Sequence, residues 1–203
     1  MGRANRDRER RLTVWPWDHV AVAYLCWSLY VRVRGRGPQS TAVAVAVVAA
    51  ALAPDLIDKP LAWVLGVLPS GRSLGHSLFT ALAAAGLAAG VGRLRGISGL
   101  GTAVAIGWVS HLLGDVAYPL VVSGDLAVGF MLWPLVPAAS SSPPTDAIGH
   151  VSELFAAFLG YVATPAGAAY LLADAALIAA AIGLWVADGA PGTELPRRLL
   201  GRE

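Results

Sequence analysis

Residues 166–187 read AGAAYLLADAALIAAAIGLWVA, with Asp174 as the only charged residue in the run. As an α-helix this stretch is about 33 Å long, enough to cross the roughly 30 Å hydrocarbon core of a bilayer. Once one such helix is in lipid, the rest of a short chain must also satisfy its backbone internally, which leaves helices or a closed barrel. The remainder agrees with helices. Apolar stretches occupy 18–33, 40–53, 76–92 and 98–118, and only 14% of the 203 residues are charged, against about 25% in soluble domains. The sequence therefore predicts an all-α polytopic membrane protein with four or five spanning helices. Shorter re-entrant or interfacial pieces are expected at 61–68, 126–138 and 150–163.

The punctuation divides the chain further. Residues 1–14 are arginine-rich and read as a disordered or surface-lying tail, 15–188 as one membrane domain, and 189–203 as a loose polar tail. Gly35, Gly37 and Pro38 break the chain after the first segment. The element APDLIDKP, with Pro54 and Pro60, is read as an interruption after a helix at 40–53, and SSSPPTD as a surface loop. All but one of the 15 basic residues are Arg, the exception being Lys59. They form short patches between apolar runs, as topology signals do, and no broad basic face for nucleic acid is visible. The single cysteine, Cys26, excludes an intrachain disulfide and a cysteine-rich metal cluster, and is expected as a core thiol. Taking Arg32–Arg36, Arg93/Arg95 and the C-terminal arginines as cytoplasmic sends 40–53 outward, 76–92 inward, 98–118 outward and 166–187 inward. The N-terminal arginines conflict with this if 18–33 also crosses. Either that tail is translocated or the first segment does not span.

Under this orientation the costly intramembrane ionisable groups fall at one depth. Asp55 and Asp58 follow the outer end of 40–53, His76 opens the inbound helix, and His111 and Asp115 lie near the outer end of 98–118. His19 joins them if the first segment crosses. Ionisable groups in a membrane default to a functional role. His111 and Asp115 are i and i+4 and share a helical face. Imidazole with carboxylate suits a divalent ion, Zn²⁺ first, with Mn²⁺, Fe²⁺ or Mg²⁺ as alternatives. The expected metal ligands are His19, Asp55, Asp58, His76, His111 and Asp115. Asp58 is the expected general base, and Arg72 the group that steadies a phosphate. Asp125 reads as a turn residue, His150 as a cap or surface residue, and Asp174 as pairing with an Arg or a water.

The elements PDLID, GRSLGHS and GWVSHLLGD, followed by WPL, resemble the membrane-bound metal-dependent hydrolases, also described as LexA-binding, inner-membrane-associated (YdjM-like) proteins. The resemblance covers about residues 17–136. It implies an early His (His19), a P-D-x-D type element (Asp55, Asp58), an H-R-x-x-T-H-S element (Arg72, His76, Ser77), an H-x-x-x-D element (His111, Asp115) and a late Trp-Pro pair (Trp133, Pro134). Two positions depart from it: Gly71 replaces the first His of its element and Gly75 the Thr. A more distant similarity to zinc-dependent phospholipase C and P1-type nucleases implies phosphoester hydrolysis, with a phospholipid or other membrane-borne phosphoester as substrate. Two readings compete. One is a non-catalytic scaffold or regulatory protein whose His/Asp cluster locks helices together. The other is a small ion or proton transporter, which the nearly all-apolar cytoplasmic halves of the spans disfavour.

Overall fold

The computed structural model describes residues 15–35, 40–138 and 147–194. Within them the chain forms six α-helices: α1 (Pro16–Val33), α2 (Thr41–Lys59), α3 (Leu78–Arg95), α4 (Leu100–Ser123), α5 (Ala147–Val162) and α6 (Pro165–Ala187). A π-helical turn, Pro60–Val64, continues α2, and a 3₁₀ turn, Gly129–Leu132, follows α4. No strand occurs among the described residues. Four stretches are long and apolar enough to cross a membrane: Thr41–Val64, Leu78–Arg95, Leu100–Val121 and Pro165–Ala187. α1 has matching length but carries Asp18, His19 and Arg32. The N-terminal tail, the loop at 140–146 and residues 195–203 lie outside the described residues, as does the His150 side chain.

The helix starts follow local chemistry. Ser40 accepts from the amide of Val43, Ser77 from that of Phe79 and Thr164 from that of Gly167, each satisfying an orphan donor of a first turn. α3 ends at Gly96, whose φ of 68° is left-handed, the C-terminal stop that glycine adopts without penalty.

One expectation is corrected. The PDLID element does not interrupt the helix; α2 runs through Pro54 to Lys59 and on into the π turn. A proline removes one backbone hydrogen bond and clashes one turn back, which bends a helix. In lipid a bent helix costs less than open backbone, so the helix continues. The 61–68 segment is accordingly the end of a span, with only Leu65–Gly66 and beyond turning away.

α2 and α4 make the most extensive helix pair; α1 packs on both, α3 packs on α4, and α6 packs on α1. Small residues allow the approach. A Cβ on Gly107 of α4 would lie 2.5 Å from the Val47 carbonyl oxygen and 2.9 Å from Ala50 Cβ. We expect Gly107→Ala to cost about 1–3 kcal/mol, because backbone rather than a flexible side chain must give way. Thermal unfolding in detergent measures it. Two apolar clusters fill the interior: Trp27, Val31, Val43, Val47 and Ala103 in one half, and Ala50, Ala81, Trp108 and Leu112 below the polar centre. Cys26 is not in either; it is exposed on α1, not a core thiol.

The two ends of the bundle are pinned differently. At one end Asp188 accepts from Arg32 (2.7 Å), Ser28 Oγ (2.7 Å) and Tyr24 Oη (3.1 Å), joining α6 to α1. Beside it Thr41 donates to Glu194, and Trp185 Nε1 donates to the Pro191 carbonyl (3.1 Å). Within the described part of the C-terminal tail, 189–194, Glu194 and Pro191 thus make contacts with α2 and α6. At the other end Asp174 accepts from the Trp17 indole (3.3 Å), not from an Arg, and Asp18 accepts from Tyr170 Oη (3.0 Å). The helix α5 lies against α6, and its Phe155 and Phe158 meet the Trp15 ring edge-on. α1 and α6 thus run parallel, and His19 stands at the same end as the loop between α2 and α3.

Candidate metal centre

The centre is built by α1, α2, α4 and the loop 66–77. The loop is shaped by Asp58, which is completely buried. Its Oδ2 accepts from the amides of Ser73 (2.6 Å) and His76 (3.2 Å), and its Oδ1 from that of Gly75 (2.7 Å). Three amides converge on one carboxylate, and the turn closes around it. Trp108 Nε1 donates to the Gly75 carbonyl (2.8 Å) and holds the loop to α4. Gly75 is required: a Cβ there would lie 2.6 Å from the carbonyl oxygen of Pro54. The second departure from the family pattern has a similar cause. A Cβ on Gly71 would meet Trp63 Nε1 at 3.0 Å, so the indole fills the space a side chain would take.

Asp58 also receives His76 Nδ1 at 2.8 Å. His111 Nδ1 lies 2.7 Å from the Ala51 carbonyl, beside the Pro54 bend. A carbonyl and an ionised carboxylate only accept, so both Nδ1 atoms carry hydrogen. Both Nε2 atoms then face inward, 3.1 Å apart. In neutral rings they present lone pairs to each other, an arrangement that repels unless a proton or a cation lies between them. Both side chains are fully buried, so water does not screen the contact.

Carboxylates close the ring. His76 Nε2 is 3.3 Å from Asp115 Oδ2 and 3.5 Å from Asp55 Oδ1, and His111 Nε2 is 4.0 Å from Asp55 Oδ1. The His19 ring stacks on that of His111, with centroids 3.8 Å apart, and its Nε2 is 3.6 Å from Asp115 Oδ1. Gly114 gives His19 room, since a Cβ there would stand 3.3 Å from Nδ1. Two triplets result, His19/His111/Asp115 and Asp55/His76/His111, each with ligand atoms close enough to share an ion. Ligands bound tetrahedrally at about 2.0–2.1 Å stand about 3.3 Å apart, so the donor spacing fits a divalent ion of zinc size.

Protein cations flank the acidic groups. Arg72 Nε is 2.9 Å from Asp115 Oδ2, and the guanidinium lies over the Phe130 ring. Lys59 Nζ is 2.6 Å from Asp55 Oδ2 and 5.7 Å from the Trp63 ring centroid. Burial by itself would lower the His76 pKa, but hydrogen bonds with Asp115, Asp55 and Asp58 outweigh it and push it up to about 10.

The structure thus brings together five of the expected ligands: His19, Asp55, His76, His111 and Asp115. Asp58 stands apart, behind His76, with both oxygens occupied by the loop; it holds the His76 ring rather than facing the centre. Arg72 lies at the rim. Lys59 was not expected at the site, although its i, i+4 relation to Asp55 is a readable ion-pair spacing. Asp125 is exposed in the turn after α4.

Fold and site define a polytopic helical membrane protein with a buried histidine–carboxylate centre at one end of its bundle. A family model, YdjM inner membrane protein, matches residues 16–190, and the chain belongs to that family. It is a multi-pass protein of the cell's inner membrane. No curated protein and no solved structure matches the chain.

Proposed function

We propose that this protein is a metal-dependent hydrolase acting on a membrane-borne phosphoester. The observation that carries the reading is the pair of buried imidazoles whose Nε2 atoms meet at 3.1 Å with their Nδ1 hydrogens already committed elsewhere. His19, Asp55, His76, His111 and Asp115 would hold a divalent ion, Zn²⁺ favoured. Such an ion supplies Lewis acidity and brings the pKa of a bound water to about 7. The chain's own residues do the rest. Asp58 fixes the tautomer of His76, as carboxylates behind metal-bound histidines do. Asp55, the least buried carboxylate of the ring, faces the centre with Oδ1 and would orient a water there. Arg72 and Lys59, both partly exposed, bind the phosphate oxygens and steady the charge that grows there.

A second reading has its own support. Arg72 and Lys59 already neutralise Asp115 and Asp55, so the cluster is also a self-sufficient polar network that locks helices in a scaffold protein.

Metal titration of the chelator-stripped protein in detergent separates the two. Below about pH 10 the metal-free His76 holds an extra proton that an incoming ion must displace. Zn²⁺ affinity is therefore expected to rise by up to about tenfold per pH unit between pH 6 and 8, with Zn²⁺-dependent hydrolysis of a lipid phosphoester. The metal-free protein shows the opposite trend. The folded state keeps a proton that the unfolded chain releases near 6.5, so its stability falls as pH rises from there through about 10. A scaffold binds no ion above background and hydrolyses nothing.

A further inference from the structure

A groove of about 550 Å³ runs between α1, α2 and α6, lined by Trp17, Tyr24, Val48, Leu52, Ile182 and Trp185 among others. Its size falls within the range of small-molecule sites, and its walls are almost wholly apolar. Its position relative to the centre gives it meaning. Val48, Leu52, Asp55 and Lys59 stand at i, i+4, i+7 and i+11 on α2 and so form one stripe. The lower half of that stripe lines the groove, and the upper half is the open edge of the centre. Trp17, at the near end, is two residues from His19, and Trp185 stands toward the far end, close to Asp188. Tryptophans at two depths are the usual markers of a lipid's interfacial levels.

Resting on the hydrolase reading above, we propose that this groove seats an acyl chain of the substrate, which is a phosphatidic-acid-like phospholipid. A chain lying along Val48 and Leu52 brings its headgroup up one helical turn to Asp55 and Lys59. There the charges are complementary. Lys59 and Arg72 offer two cations to a phosphate, and Asp55, released from Lys59, turns to the centre. The glycerol end sits at Trp17, where an amphipathic ring tolerates both environments. Selection thus acts on both parts of the lipid: chain by the groove, phosphate by the cations.

The test uses the full chain in phosphatidylcholine vesicles doped with a phosphatidic acid that carries a diazirine in mid-chain. Photolysis is expected to place label on Val48, Leu52 and neighbouring groove residues. Unlabelled phosphatidic acid should compete, and diacylglycerol, which has the chains but no phosphate, should not. Lys59→Ala should erase that preference. Leu52→Trp should lower groove labelling about tenfold, the loss of contact for two or so methylenes. Ile182→Trp, at an exposed rim position, does the same without disturbing α2. Label spread evenly over the lipid-facing helices, or equal competition by diacylglycerol, overturns the proposal. Labelling needs no turnover, so the outcomes are separable. Zn²⁺-dependent hydrolysis with even labelling removes the groove and leaves the hydrolase. Focused labelling without hydrolysis does the reverse.

Discussion

His111→Ala combined with Asp115→Ala is expected to bring bound metal down to background and to slow phosphoester hydrolysis by roughly a thousandfold or more, about 4 kcal/mol of transition-state stabilisation. His111 belongs to both ligand triplets, and Asp115 reaches His19, His76 and Arg72 at once. Removing the two leaves Asp55 and His76 on one side and His19 alone on the other, fewer donors than a catalytic zinc site needs. The truncation also strands the Ala51 carbonyl, so helicity and unfolding temperature must be followed in parallel. His76→Gln provides a check of similar volume, since it keeps a hydrogen-bonding group toward Asp58 but removes the imidazole. Metal analysis of purified protein reads all three. Equal metal content in wild type and double variant would sink the site.

How much of this was legible in the sequence divides along the range of the interactions. The membrane class was legible because charge depletion over 20 residues is a local property. The face shared by His111 and Asp115 was legible for the same reason: an i, i+4 relation needs only the helix that contains it. The meeting of α1, α2 and α4 at one depth followed from the positions of their ends, and the structure places His19, Asp55, His76, His111 and Asp115 together. The continuity of α2 was not legible. Pro54 and Pro60 argue locally for a break, and only burial of the bend against Gly75, with lipid outside, makes a continuous helix the cheaper solution. The division of labour between Asp55 and Asp58 was equally hidden. The two lie three residues apart, and which one faces the centre depends on a loop whose path no local pattern sets. Trp63 explains Gly71 only once both are seen in contact.

The rim shows how those pieces combine. Arg72 and Lys59 each hold a carboxylate of the centre at salt-bridge distance while remaining partly exposed. In the metal-free protein they balance buried negative charge, which an isolated carboxylate in a low-dielectric setting does not tolerate. Under the proposed function a divalent ion would take over that duty, and the same two cations would become available to an anionic substrate. Arg72 comes from the loop that Asp58 shapes, and Lys59 from the α2 stripe that also carries Val48, Leu52 and Asp55.

Asp58→Ala is accordingly expected to be among the most damaging single substitutions outside the ring of ligands. The carboxylate is completely buried and accepts from three backbone amides and one imidazole. Its removal leaves four donors without partners at a fully buried position, and losing one side of such a buried charged network costs about 3–5 kcal/mol. Asp58→Asn keeps the volume but turns an N–H₂ group toward donors, so it should recover only part of that loss. Freed from Asp58, the His76 ring can adopt either tautomer, and metal affinity should drop about 10- to 100-fold, the usual effect of removing a carboxylate behind a metal-bound histidine. Two measurements distinguish this from direct ligation. Hydrogen exchange at the amides of Ser73, Gly75 and His76 should accelerate in both variants, and the residual metal should still bind with unchanged stoichiometry. Metal lost entirely while those amides stay protected would place Asp58 in the coordination sphere and the loop's stability elsewhere.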